Sequence, residues 1–177
     1  DQLHRQVARR HGHPNSVGII DETSYHKQGT KTACVQRQWC GSRGKTDNCV
    51  VSVQLGYAAG DFHTLLDGDL FLPEHTWNDP VRRHAAGIPD DVVYRPKWVI
   101  ADELIHRALA NGVRFAWLTF DEYYGRNGPF RRGLEAIGQN YVAEVPVDPT
   151  GWTKPPDLHC QDHPRDKQAG RIRRRMR

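Results

Sequence analysis

Two apolar runs in this chain each stop at an aspartate: Val17-Gly18-Ile19-Ile20-Asp21-Glu22 and Phe115-Ala116-Trp117-Leu118-Thr119-Phe120-Asp121-Glu122. Their β-branched and aromatic content reads as strand. A carboxylate at the end of a buried strand is costly unless a cation, a metal or several hydrogen bonds meet it. One such aspartate has a local explanation, either a turn at Asp21 beside Thr23 and Ser24 or a helix N-cap at Asp121. Two together favour a sheet that brings both carboxylates to one place, where hard oxygen ligands suit Mg2+ or Mn2+.

The remaining pattern supplies such a sheet. After a basic, poorly patterned stretch (1–15), strands are predicted over 17–22, 34–39 and 49–57, with Gly41 to Gly44 turning the chain. Short links between three successive strands predict an antiparallel three-strand meander. A fourth extended piece (63–72) ends at Pro73, and Asp79-Pro80 opens a short helical stretch that stops before Gly87. The 97–111 segment repeats apolar residues with helical period and ends at Gly112. A strand (114–120), a helix (129–137) and a short strand (141–145) follow. Strands first, then helix–strand units, predict an α/β fold with a mixed sheet.

Charge and cysteines narrow the function. The formal charge is +4, yet 165–177 alone holds seven Lys or Arg against one Asp, which leaves 18 basic and 20 acidic residues in 1–164. Arg173, Arg174 and Arg175 suit DNA phosphates, although such a run also reads as a solvated, disordered tail. Cys34, Cys40, Cys49 and Cys160 form no C-x-x-C pair, so reduced thiols are expected rather than zinc. There is no apolar stretch of membrane-spanning length, no signal-peptide pattern and no Gly-rich nucleotide loop. A cytoplasmic protein without membrane attachment or nucleotide cofactor is expected. The first residue is Asp1, and a piece of a longer product is expected.

The ordered motifs Ile20-Asp21-Glu22-Thr23, Lys27-Gln28-Gly29, Val35-Gln36-Arg37-Gln38-Trp39-Cys40-Gly41, Gly44-Lys45, Asn48-Cys49-Val50-Val51-Ser52-Val53, Leu72-Pro73-Glu74, Phe120-Asp121-Glu122-Tyr123-Tyr124-Gly125 and Tyr141 to Pro146 resemble the DDE-type transposases of bacterial insertion sequences. Within these the resemblance is to the subgroup described as DDE superfamily endonucleases. It implies a ribonuclease-H-like catalytic core, here over 16–147, preceded by the remnant of an N-terminal region (1–15) and followed by an irregular basic tail (148–177). It further implies Mg2+- or Mn2+-dependent cleavage and transfer of DNA strands at transposon ends. Asp21 and Asp121 match the first two metal-binding acids of that family.

The family's third acid is a glutamate on a later helix, and no glutamate follows Glu144 here. The expectation is a truncated core that is inactive alone, which either binds DNA as a catalytically dead remnant or pairs with a full-length transposase. A different two-metal nuclease of the same fold, with Glu74 or Glu144 as third ligand, is the other reading. Period-2 alternation puts Glu22 on the opposite face from Asp21. Lys27, Arg37, Arg43 and Lys45 are candidate phosphate contacts, Tyr123 and Tyr124 are expected to pack rather than stack on a base, and His26 has no assigned role.

Overall fold

The computed structural model describes residues 1–146, 158–160 and 174–176. Two units are distinguished, Asp1–Val145 and Pro146–Arg177. In the second, β7 (Leu158–Cys160) pairs antiparallel with β8 (Arg174–Met176).

The first unit is built on one sheet. Its strands are β1 (Val17–His26), β2 (Gln36–Cys40), β3 (Lys45–Ala59), β4 (Phe62–Leu70), β5 (Trp117–Phe120) and β6 (Tyr141–Ala143). Helices are α1 (Gln2–His11), α2 (Pro80–Ala85), α3 (Lys97–Ala110), α4 (Glu122–Gly125) and α5 (Gly128–Ala136). The order β2-β3-β1-β5-β6 has β4 added to β3. Pairs β1–β3, β2–β3 and β3–β4 are antiparallel, whereas β1–β5 and β5–β6 are parallel. Parallel neighbours need crossovers, which α3 and α5 supply. The result is a ribonuclease-H-like α/β fold with a mixed sheet.

Alternation along β3 decides where the core lies. Val53, Leu55 and Tyr57 point to one face, where Ile20 of β1, Leu118 and Phe120 of β5, and Ile100, Leu104 and Ile105 of α3 close over them, all buried. Burying each such side chain contributes about 1.5–3 kcal/mol. Gly18 allows this packing, because a Cβ there would meet Leu118 Cδ2 at 2.5 Å and the Phe115 ring at 2.8 Å. The opposite face is less covered. Leu65, Gly56, Ile19, Thr119 and Val142 lie in one rung across five strands, and Leu65, Ile19 and Val142 are exposed, as is Trp117 nearby.

Three features differ from the sequence reading. The meander consists of β1, β3 and β4; β2 is a short branch on the far half of β3's outer edge, beyond β4. β1 continues to His26, so Asp21 lies mid-strand, and what ends there is its neighbour β5. The polar residues from Thr23 to His26 masked this continuation, since an apolar run is not needed where a strand is half exposed. The basic lead-in contains a helix, α1, whose His4 and Val7 are buried. The Tyr57 hydroxyl donates to the His11 carbonyl at 2.8 Å and the His11 ring stacks on Phe62 at 3.6 Å, fixing the helix end to the sheet.

Candidate metal centre

Strand register places the two aspartates. Ile20 pairs with Phe120 as the last rung between β1 and β5, so Asp21 and Asp121 are the next residue on two adjacent parallel strands. Asp21 shares the open face with Ile19, and Asp121 begins α4. The Asp121 carboxylate accepts from the backbone N–H groups of Tyr123 at 3.0 Å and Tyr124 at 3.4 Å, through Oδ1 alone. Asp21 Oδ1 accepts from the Glu22 N–H at 2.7 Å. Among the described residues, Oδ2 of each has no hydrogen-bond or ion-pair partner.

A buried tyrosine and a paired glutamate stand behind this pair. Tyr124 is fully buried against Phe120 and Phe130, and its hydroxyl lies 3.5 Å from Glu22 Oε1. Burial pushes the Tyr124 phenol far above its ordinary value, and the charges of Glu22, Asp121 and Asp21 push it the same way. One phenol therefore senses both aspartates. Tyr123 is also raised, by burial first and then by Glu22. Glu22 points to the helix side, where the Lys97 ammonium at the start of α3 engages it. That ammonium also lies 5.4 Å from the Phe71 and Tyr123 rings. Glu22 is thereby spent on holding β1 to α3.

Two carboxylates, each with a spare oxygen, fit a hard divalent cation whose other positions go to water or phosphate oxygens, the usual manner of holding Mg2+. Among the described residues no three or more His, Cys, Asp or Glu side chains gather into a metal-binding group. Glu144 follows Ala143, which pairs with Phe120, so it stands one strand beyond Asp121 without joining such a group. Gly125 lets α4 approach here, since a Cβ would fall 1.8 Å from the Glu144 carbonyl oxygen.

The candidate phosphate contacts gather elsewhere. Lys27, Arg37, Arg43 and Lys45 surround the β2–β3 hairpin. The Asn48 side-chain amide donates to the carbonyls of Lys27 at 2.8 Å and Gly29 at 2.7 Å, tying that turn to the hairpin. Arg43 and Lys45 lie 3.7 and 3.9 Å from Asp47 Oδ2, with His26 at 3.8 Å. The Asn48 N–H and then these cations hold the Asp47 carboxyl below its ordinary value. Arg174 and Arg175 fall on β8, and Arg173 lies outside the described residues. Cys34, Cys40 and Cys49 are free and buried. Glu22 opposite Asp21 and a packed Tyr124 follow the sequence reading, whereas the pairing of Lys97 with Glu22 was not legible, because nothing local links residues 75 apart.

Comparison with known proteins gives the family. The profile of the DDE superfamily endonuclease family matches residues 1–177. A curated relative, the probable transposase for insertion sequence element IS701 of Microchaete diplosiphon, is 35% identical over 129 residues. That alignment takes in 72% of this chain and 31% of the relative, so the chain spans about a third of the length of that protein. The chain belongs to the DDE superfamily endonuclease family.

Proposed function

We propose that this chain is the part of a transposase core that binds a divalent metal for phosphoryl transfer on DNA at transposon ends by the full-length protein. The observation that carries this is the register that sets Asp21 and Asp121 side by side past the Ile20–Phe120 rung, each with one oxygen uncommitted. Bound there, Mg2+ or Mn2+ would supply Lewis-acid stabilisation of charge on a phosphoryl oxygen. The protein's own contribution is placement. Backbone N–H groups fix each carboxylate through Oδ1, and Lys97 holds Glu22 on the side of β1 where strand alternation puts it. Pairing of β1 with β5 ends at Ile20, and the proposed DNA strand lies along the β1 edge beyond it, beside Asp21.

Two carboxylates offset the charge of one divalent cation, and two-metal chemistry needs further acidic ligands. The chain alone is therefore proposed to be inactive in strand cleavage, acting with further segments or with a full-length copy. Its partners are DNA and other transposase copies, in the cytoplasm; among the described residues no helix is long and apolar enough to cross a membrane. The test is a calorimetric Mn2+ titration of the full chain and of Asp21→Asn. Binding that this substitution removes, in a protein of unchanged fold, supports the reading. Equal binding by both would sink it.

A further inference from the structure

We propose that the outer face of the β2–β3 hairpin is a DNA-stacking platform in which Trp39 packs on an unpaired base and Arg37 holds the neighbouring phosphate. Trp39 is 64% exposed, more than any other aromatic side chain among the described residues. Large aromatic surface is costly to leave in water, and nothing within the described chain covers it. Arg37 and Trp39 are two apart on β2 and so share a face, with Asn48 and Thr46 opposite them on β3. These four residues include no carboxylate. The one acid of the hairpin, Asp47, pairs with Gln38 on the other face and is surrounded there by Arg43, Lys45 and His26. Among the described residues Arg37 makes no ion pair, so its charge remains available to an anion.

An exposed indole beside an unpaired guanidinium is the combination that holds single-stranded nucleic acid: one stacks on any base, the other meets the backbone. Position favours DNA over a protein partner. Trp39 pairs with Thr46, and Asp21 pairs with Gln54 of the same strand. The two β3 residues are an even number apart, so Trp39 and Asp21 face the same side of the sheet, with Tyr25 and Thr23 of β1 between them. At ~3.3 Å per residue the separation along β3 is at most about 26 Å. At the ~3.4 Å rise of a stacked duplex strand that span is at most about eight nucleotides, and an unpaired, extended strand covers it in fewer. The proposal rests on the DNA reading above and adds to it a specific contact remote from the metal.

The test uses the full chain with a fluorescein-labelled single strand of mixed sequence and its duplex, followed by anisotropy across a salt series. Trp39→Ala should lower single-strand affinity by about five- to 150-fold, the range expected for one stacked base, without changing the salt slope. Trp39→Phe should keep most of the affinity. Arg37→Gln should reduce the slope by about 0.7, the share of one phosphate contact on a single strand. If Trp39→Ala binds as tightly as the unsubstituted chain, the platform is refuted while the metal and DNA reading stands. If Trp39→Ala leaves DNA binding intact but abolishes self-association in sedimentation, the surface belongs to a protein partner and the proposal falls. If no form binds DNA although Mn2+ still binds at Asp21, the platform and the DNA part of the reading fail together.

Discussion

Asp121 caps a helix and, in the proposed site, also binds the metal, and the two roles can be separated chemically. Its Oδ1 caps α4 by accepting from Tyr123 and Tyr124, while Oδ2 is spare. Asparagine caps as well as aspartate but carries no charge, and alanine does neither. Asp121→Asn should therefore retain the thermal midpoint while weakening Mn2+ binding, and Asp121→Ala should lose both, with about 1 kcal/mol of stability. Thermal melting and calorimetry on the two variants check this; a midpoint equally lowered in both would mean that charge rather than capping holds α4. Aspartate at this position was legible from the end of an apolar run. So was its capping role, since a helix N-cap was one of the readings of Asp121; the length of that helix was not, because Glu-Tyr-Tyr-Gly carries no periodic signal over four residues.

Among the elements, α1 shows most clearly where pattern reading fails. Its ten residues include Arg5, Arg9 and Arg10, and only His4 and Val7 are buried, too few to read as an apolar stripe. β3 failed in the opposite direction. Its Cys49 to Tyr57 section was plain, but Lys45 to Asn48 are polar because there they pair only with β2 near the surface. The docking of α1 also predicts a pH dependence. His4 lies 3.3 Å from Asp67 through Nε2, and its buried Nδ1 has no hydrogen-bond partner among the described residues. Burial lowers the His4 pKa; Asp67 opposes this and Arg107 adds to it. The unfolded chain then takes up this proton first as pH falls below ~6.5, so stability present above that pH is lost on acidification. Urea midpoints of the unsubstituted chain and of His4→Gln at pH ~7.5 and ~5.5 measure it. The drop should be smaller in His4→Gln, and equal drops would remove His4 as the cause.

At the scale of the molecule, alternation told which strand residues are apolar but not which face a second layer covers. The helix side is closed by α3 and α5, while the rung from Leu65 through Ile19 to Val142 stays open on the other. A row of exposed apolar side chains across five strands is a liability for association. Leu65→Lys combined with Val142→Lys should lower binding of a hydrophobic dye and slow aggregation, with stability changed by no more than about 0.5 kcal/mol, as for exposed sites. Unaltered dye binding would place the sticky surface elsewhere, and a large loss of stability would mean that the rung is covered in solution.

The pairing of β1 with β5 has a consequence for how this protein is made. β1 finds β3 within a few tens of residues, but its other edge waits for Trp117–Phe120, about a hundred residues later in synthesis. Contacts that close so long a loop form late. Asp21 and Asp121 therefore meet near the end of folding, and in the proposed site a divalent ion that needs both could not guide the earlier steps; during synthesis such a cation would be recruited only to a sheet already assembled.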